Sequence, residues 1–479
     1  MGLTALLARL DRALEAGGTR DLPERQRTMR ATLRWSYDLL SEEEKRLFRK
    51  LGVFAGGFTL EAAEAIGVEP GAAGDVGAGD VLGLLGRLVE QSLVVVEASA
   101  PGDEEQRYRM LEPVRQYAQE LLEESDEAEE TRRRHAEFFL ELAEAAELEL
   151  RGPNQVEWLG RLEMENGNLR AAMSWALHPE GGDAATAARV GWALWQFWWV
   201  RGHHSEGRRW METVLQRDLA PALRARILVV AGSLALSHAD YERCEEYCEE
   251  SLELSYQIGD ELAAAWSRLG LVLVAMSRSD YGAATSRLEE ALRSFREVDD
   301  DRGVALVITF SGMLALVRGD LVRAARMFGE VLALAREVGD RSTAYIALYN
   351  LAQVALYRGD HDRTATLFQR GVALSEQVGD RANLAYYLEG LATVAGARGQ
   401  AQRCAHLIGA AEGLHEAVGA PVYVYYEPDR SLFERTVNAV RSRLGESAFE
   451  KARGEGRAMN FEQAAAYALE GNEAWPSAP

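Results

Sequence analysis

The stretch RGDLVRAARMFGEVLALAREVGD, residues 318–340, has two close relatives in the same chain. RSDYGAATSRLEEALRSFREVDD begins at Arg278 and RGDHDRTATLFQRGVALSEQVGD at Arg358, so the interval is 40 residues each time. Extended in register, one series of turns falls at Ala239-Asp240, Ser279-Asp280, Gly319-Asp320, Gly359-Asp360 and Gly399-Gln400. A second falls at Gly259-Asp260, Asp299-Asp300, Gly339-Asp340, Gly379-Asp380 and Gly419-Ala420. A fixed period of this length, free of insertions, marks a solenoid in which each unit buries its apolar face against its neighbours.

Between turns the apolar residues recur at helical spacing, so each unit reads as a helix–turn–helix with helices of roughly 17 residues. The small residues fix the register. Alanine holds one place in all five first helices (Ala235, Ala275, Ala315, Ala355, Ala395), and Gly232, Val272, Gly312, Ala352 and Ala392 lie one turn earlier. Second helices carry Cys244, Ala284, Ala324, Thr364 and Cys404, then Ser251, Ala291, Val331, Gly371 and Ala411 seven residues on. The row between them is mostly bulkier: Cys248, Leu288, Phe328, Phe368, Ile408. Small positions let helices approach and the large row fills the gap. The pattern resembles the tetratricopeptide repeat, whose usual length is about 34 residues. The segment WALWQFWWVRGHHSEGRRWMETVL, 192–215, puts Gly202 at the turn but Trp195 at a small position, and reads as an N-terminal cap on the array.

Residues 28–125 follow another plan. Ser41 and Glu44 make a capping box ahead of EEEKRLFRKLGVF, Thr59 caps LEAAEAI and Asp80 caps VLGLLGRLVEQ. Two β-type runs, Leu93–Ala98 and Arg107–Leu111, join through Pro101-Gly102-Asp103, and a helix EPVRQYAQELLEE follows. Helices and then a hairpin is the order of a winged helix-turn-helix. The expected fold is therefore mainly α: a winged helix with a small β-hairpin, then an α-solenoid of 40-residue helix pairs. Its parts are a linker remnant (1–27), the winged helix (28–125), a helical connector (126–183), about six helix pairs (184–419) and a C-terminal helical cap (420–479).

LPERQRTMRATLRWSYDLLSEEEKRLFRKLGVFAGGFTLEAAEAI, LLGRLVEQSLV, RYRMLEPVRQYAQELLEE and the connector helices RRHAEFFLELAEAAE and NQVEWLGRLEMENGNLRAAMSWAL carry a resemblance. They are similar to the region after the nucleotide-binding module of bacterial STAND-type (NB-ARC-like) signal-transduction ATPases, including LuxR- and SARP-type regulators. The resemblance implies inducer sensing, autoinhibition and a nucleotide-driven switch to an active, often oligomeric form. A Walker A loop needs a lysine directly after a glycine. The three lysines follow Glu44, Arg49 and Glu450, so this chain carries no such loop, and no LuxR-type DNA-binding domain is expected after the tail. The chain is expected to be a truncated product, a split half or an excised fragment of such a regulator.

Composition narrows the function classes. The net charge of −22 and pI of about 5.0 oppose phosphate-backbone binding by the chain as a whole. Residues 30–124 hold ten basic and eighteen acidic side chains, so the helix VLGLLGRLVEQSL, with Arg87 and Gln91 as its candidate DNA contacts, is expected to serve protein packing instead. Three cysteines suit a reducing compartment, and with neither a signal-peptide core nor an apolar run of 18 residues the expected location is cytoplasmic. Cys244, Cys248 and Cys404 occupy core rows. His203-His204 reads as a surface turn, Arg132–Arg134 as a solvated face paired with carboxylates, and Trp192, Trp195, Trp198 and Trp199 as buried capping.

No catalytic, cofactor-binding or metal-ligating set stands out, and no enzyme activity is expected. The first helices should face the inside of the superhelix, which places Leu273, Met276, Met313, Tyr349, Gln353, Tyr357 and Tyr386 on the inner surface as a candidate groove. The alternative is that they pack between repeats. The functional reading is a non-catalytic sensor region that binds a protein, such as its own ATPase module, or a small inducer. A DNA-binding regulator acting through the winged helix and a free-standing scaffold are the alternatives.

Overall fold

The computed structural model describes residues 24–67, 78–97, 106–179, 181–419 and 431–470. Residues 1–23 of the expected linker remnant, the turn at 101–103 and the start of the C-terminal cap at 420–430 lie outside them. The chain divides into two compact units, Met1–Leu140 with Met164–Gly181 and Glu141–Glu163 with Gly182–Pro479. The connector expected at 126–183 is thus shared between them.

The first unit is a winged helix. Its elements are α1 (Glu24–Asp38), α2 (Glu42–Leu51), β1 (Gly57–Thr59), α3 (Leu60–Gly67), α4 (Ala78–Glu90), β2 (Val95–Val96), β3 (Arg107–Arg109) and α5 (Glu112–Glu123). The Ser41–Glu44 capping box opens α2 with both reciprocal hydrogen bonds formed. Thr59 accepts from Ala62 N–H at 3.2 Å to start α3. Helix α4 begins two residues before Asp80, which sits in its first turn and not at its cap. The expected hairpin strands are short, and a third strand joins them in the order β1–β3–β2, all antiparallel. Three residues around Phe58 are too few to show alternation, so the sequence pattern conceals β1. Phe48, Leu51, Phe54, Phe58, Leu85 and Leu88 make the core.

The unit is completed by the first part of α6 (Ala128–Glu149), by the last residue of α7 (Gln155–Met164) and by α8 (Asn166–Ala176). Asn168 accepts from Ala55 N–H at 2.8 Å and donates to Gly57 O at 2.9 Å, satisfying the backbone that enters β1. A Cβ on Gly167 would lie 2.1 Å from Ala55 O, so only glycine admits this approach. Arg132, Arg133 and Arg134 pair with Glu123, Glu130 and Glu137 along the surface.

The second unit opens with α9 (Ala184–Ala193), α10 (Trp195–Arg201) and α11 (His204–Val214). Five helix pairs follow: α12 (Pro221–Ser237) with α13 (Tyr241–Ile258), α14 (Glu261–Ser277) with α15 (Tyr281–Glu297), α16 (Asp301–Val317) with α17 (Leu321–Val338), α18 (Arg341–Tyr357) with α19 (His361–Val378), and α20 (Arg381–Ala397) with α21 (Ala401–Val418). Each repeat helix spans 17 or 18 residues. The turns are left-handed at Gly259, Gly319, Gly339, Gly359, Gly379, Gly399 and Gly419, and also where glycine is missing, at Ala239, Ser279 and Asp299. Each turn aspartate caps the next helix. Asp240, Asp260, Asp280, Asp300, Asp320, Asp340, Asp360 and Asp380 all accept from the backbone N–H three residues on, at 2.8–3.3 Å.

The size rows do the packing. Cys248, Leu288, Phe328, Phe368 and Ile408 are all buried. A Cβ on Gly312 would lie 2.7 Å from the Phe328 ring, and one on Gly390 would lie 2.4 Å from Phe368. Phe328 therefore presses on its own first helix and Phe368 on the next unit's. At the C-terminal end, α22 (Ser431–Leu444), α23 (Glu446–Arg457) and α24 (Phe461–Leu469) pack over the last two pairs. Helices α21 and α23 cross on bare backbone, since a Cβ on Gly409 would meet Arg453 O at 1.9 Å and one on Gly456 would meet His406 O at 2.0 Å. No helix among the described residues is long and apolar enough to cross a membrane.

This register makes two measurable predictions. Gly371→Ala, whose Cβ would fall 2.0 Å from the buried Tyr387 ring, should cost about 1–3 kcal/mol by overpacking. Gly329→Ala, with nothing within 4 Å, should stabilise by up to about 1 kcal/mol through helix propensity. Equal urea midpoints for the two variants would contradict the packing. Ser279→Gly should also stabilise, by about 0.5–1 kcal/mol, because the serine sits at φ 59°; a lower midpoint would show the hydroxyl outweighs the backbone strain.

Candidate functional site: the inner cavity of the repeats

A cavity of about 230 Å³ opens inside the second unit. Its wall comes from the first helices α12, α14, α16, α18 and α20, together with α10. Cys248 is the one lining residue from a second helix among those described. First helices line the inside because their inward stripes, such as Trp266, Leu269, Gly270 and Leu273 on α14, recur at spacings of three and four.

The candidate groove residues separate into two sets. Leu273, Met313, Tyr349 and Tyr386 line the cavity. Met276 and Gln353 are buried but lie outside its lining, and Tyr357 is 42% exposed and also outside it. Position along the helix is the reason. On α18 the cavity takes residues 342–350, whereas 353 and 357 belong to that helix's last turns; on α14 it takes 266–273, short of Met276 in the last turn.

The segment before the array comes to the same ends. Gln155 donates to Asp340 at 3.1 Å and to Leu150 O at 2.7 Å, and accepts from Ser342 N–H at 3.1 Å. Arg341 donates to Pro153 O at 2.8 Å, and Gln196 donates to Leu150 O at 2.9 Å. The tryptophans expected only to cap also face the cavity. Trp195 and Trp199 line it, and both indole N–H groups donate to Ser233 Oγ, at 3.0 and 2.8 Å. Trp195 and Trp266 meet edge to face at 4.9 Å.

Sequence reasoning missed the polar residues of this wall. Arg302 stands beside Trp195 and Trp266, its guanidinium 5.8 and 5.5 Å from the two rings, and burial pushes its pKa down to about 10. Ser342 Oγ and Asn350 Oδ1, both buried, have no hydrogen-bond partner. One signal was available: Leu262, Arg302, Ser342 and Ala382 occupy the same place in successive repeats, and a charge in that row breaks its character. Asp380 is buried on the opposite flank. Burial raises its pKa, against hydrogen bonds from Asn383 and Tyr345 that lower it.

The histidine pair behaves differently from the expected surface turn. His203 is partly exposed and faces Glu163 at 3.3 Å, but His204 is fully buried. Its ring packs edge-on against Trp199 at 4.9 Å because it starts α11 facing inward, and neither ring nitrogen has a partner. Burial first, then the neighbouring His238 and His203, pushes its pKa down to about 3. Cys244, Cys248 and Cys404 are free thiols inside the helix packing.

On the winged helix, Arg87 and Gln91 are both exposed near the end of α4. The Arg87 guanidinium is bound to Glu44, and Gln91 follows the last helical residue. The exposed face between Leu82 and Arg87 adds Gly83 and Gly86, neither of which can donate a side-chain hydrogen bond.

Comparison with known proteins adds the following. Residues 40–123 match the model of the winged helix-turn-helix domain family. A protein of Mycobacterium tuberculosis strain H37Rv, provisionally named an HTH-type transcriptional regulator, is 35% identical over 261 residues. That alignment covers 52% of this chain and 28% of the relative, so the chain spans little more than a quarter of that protein's length. An uncharacterised protein of the same strain is 37% identical over 143 residues, 30% of this chain and 32% of the relative. Among solved structures, a Rap protein complexed with Competence and Sporulation Factor superposes with a TM-score of 0.47 at 13% identity, covering 74% of this chain and 93% of that one. A STAND protein with a tetratricopeptide repeat sensor from Pyrococcus horikoshii gives 0.42 at 15% identity, covering 92% and 68%.

The depressed pKa of His204 makes stability depend on pH. Below about pH 6.5 the unfolded chain takes up a proton at this ring that the folded chain refuses until about pH 3, so stability falls as pH falls through that window. The loss should be of the order of 1.4 kcal/mol per pH unit from this ring. Urea midpoints at pH 7, 6 and 5 should therefore drop more steeply for the native chain than for His204→Phe. Parallel pH profiles would mean that the ring is hydrated in solution.

Proposed function

We propose that this chain is a non-catalytic regulatory region in which the tetratricopeptide-like repeats bind an effector on their inner face and the winged helix couples that event to a switch module. The observation that carries this reading is the cavity itself, an apolar chamber with a few unsatisfied polar groups, built by the inward faces of all five repeats and α10. The resemblance of the winged-helix and connector sequences to STAND-type regulators supplies the nature of the switch: a P-loop ATPase module carried on another chain or another part of a longer one. The acidic winged helix, with Arg87 already paired to Glu44, suits packing against protein better than against phosphate.

A second reading is favoured by the match of residues 40–123 to a winged helix-turn-helix family and by the mycobacterial relative's provisional description. In it the same domain contacts DNA and the repeats control that contact. One pair of experiments separates the two. Gel filtration of this chain with a separately expressed P-loop module from such a regulator should give a 1:1 complex under the first reading. A mobility shift on upstream DNA that survives moderate salt, and is lost in Arg87→Ala, would establish the second reading and displace the first.

A further inference from the structure

Arg302 is the one cationic side chain among the described lining residues of the cavity. Among the described residues it makes no hydrogen bond or ion pair, and its guanidinium stands over the Trp195 and Trp266 rings. The carboxylates whose field reaches it, Asp340, Asp300 and Glu147, are engaged elsewhere, and Arg151 adds a second positive charge nearby. Asp300 caps Gly303 N–H at 2.8 Å. Asp340 accepts from Gln155 Nε2, Thr343 N–H and Thr343 Oγ1. Glu147 accepts from Arg151 at 3.0 Å and from Trp192 Nε1 at 3.1 Å. A guanidinium offers five N–H donors in a planar fork, and those of the half-buried Arg302 are left without a protein acceptor. Here the fork is held ready beside two indoles that Ser233 and their mutual edge-to-face contact keep in place.

Two further groups lack partners. Ser342 Oγ lies one repeat on from Arg302 in the same row, and Asn350 Oδ1 lies eight residues further along α18, about 12 Å at 1.5 Å per residue. The wall also includes Thr309 and Met313. Asp380, on the far flank, would repel a second negative charge.

We propose that the cavity takes a small monocarboxylate with an apolar body: its carboxylate is held by the Arg302 fork and the Ser342 hydroxyl, and a hydrogen-bond donor at its other end meets Asn350 Oδ1. This rests on the reading of the cavity as the effector site and names the chemical class of the effector. The bidentate geometry of a guanidinium suits a carboxylate, and the indole faces beside it cover the apolar stem.

The test is calorimetry on the full chain with indole-3-butyrate, its methyl ester and decanoate. Indole-3-butyrate should bind with 1:1 stoichiometry and at least about tenfold more tightly than the ester, which keeps the ring and N–H but has no negative charge. Decanoate, lacking the distal donor, should fall between them. Arg302→Lys keeps the charge but loses the fork, and should weaken indole-3-butyrate about tenfold while leaving the ester unchanged. Equal affinity for acid and ester, or no binding of either acid at about 1 mM, overturns the proposal; the ester comparison needs no variant and so stands even if Arg302→Lys fails to fold. A chain that ignores the acids yet forms the 1:1 complex with a P-loop module would refute this ligand class and leave the regulatory reading intact. Acid binding without that complex would do the reverse.

Discussion

The close approach of helices at residues with little or no side chain is the constraint on which the second unit depends. Gly312 receives Phe328, Gly371 receives Tyr387 and Gly390 receives Phe368, each with less room than a single methyl group requires. Because a large residue from one helix fills the space opened by a small one on the next, a change in either breaks two contacts at once. The same device appears without side chains at the C-terminal end, where Gly409 and Gly456 bring α21 and α23 together backbone to backbone.

Turn chemistry keeps the register that this packing needs. Left-handed residues end the repeat helices, and eight aspartates at intervals of 20 cap the helices that follow. A cap of this kind contributes about 1 kcal/mol. Its larger consequence is geometric: the aspartates capping the first helices form a row at the end of the unit where the segment around Pro153 and Gln155 docks. Asp340 serves both tasks, capping Thr343 and accepting from Gln155. With those carboxylates committed to caps and connector contacts, Arg302 is left with a charge and no acceptor. The candidate site thus follows from the structural repeat.

The cavity does not run the full length of the inner surface. Trp195 and Trp199 from the divergent first unit line it beside the first helices of the repeats. Trp195 occupies a position that is small in the regular repeats, so the irregularity that looks like a capping device also builds a wall of the site.

The period of 40, the helix lengths, the capping box at Ser41 and the winged-helix order were legible because each is local. Turns, caps and size rows are set by residues within one helix pair, and repetition makes the pattern visible above noise. The inward direction of the first helices also followed from register, and it placed Leu273, Met313, Tyr349 and Tyr386 on one cavity. What escaped were features decided by contacts across long sequence separations. Strand β1 forms only because Arg107–Arg109 lies alongside it, and Tyr357 and Gln353 fall outside the site because the cavity forms at the other end of their helix. His204 looked like a turn residue and is buried under Trp199. Arg302 reads as an ordinary first-turn arginine until tertiary structure commits Asp300, Asp340 and Glu147 to other partners. Local sequence therefore determined which helices form and which face turns inward. Which charged groups are left without a hydrogen-bonding partner was decided only by the folded arrangement, because partnering depends on distance in space and not on spacing along the chain.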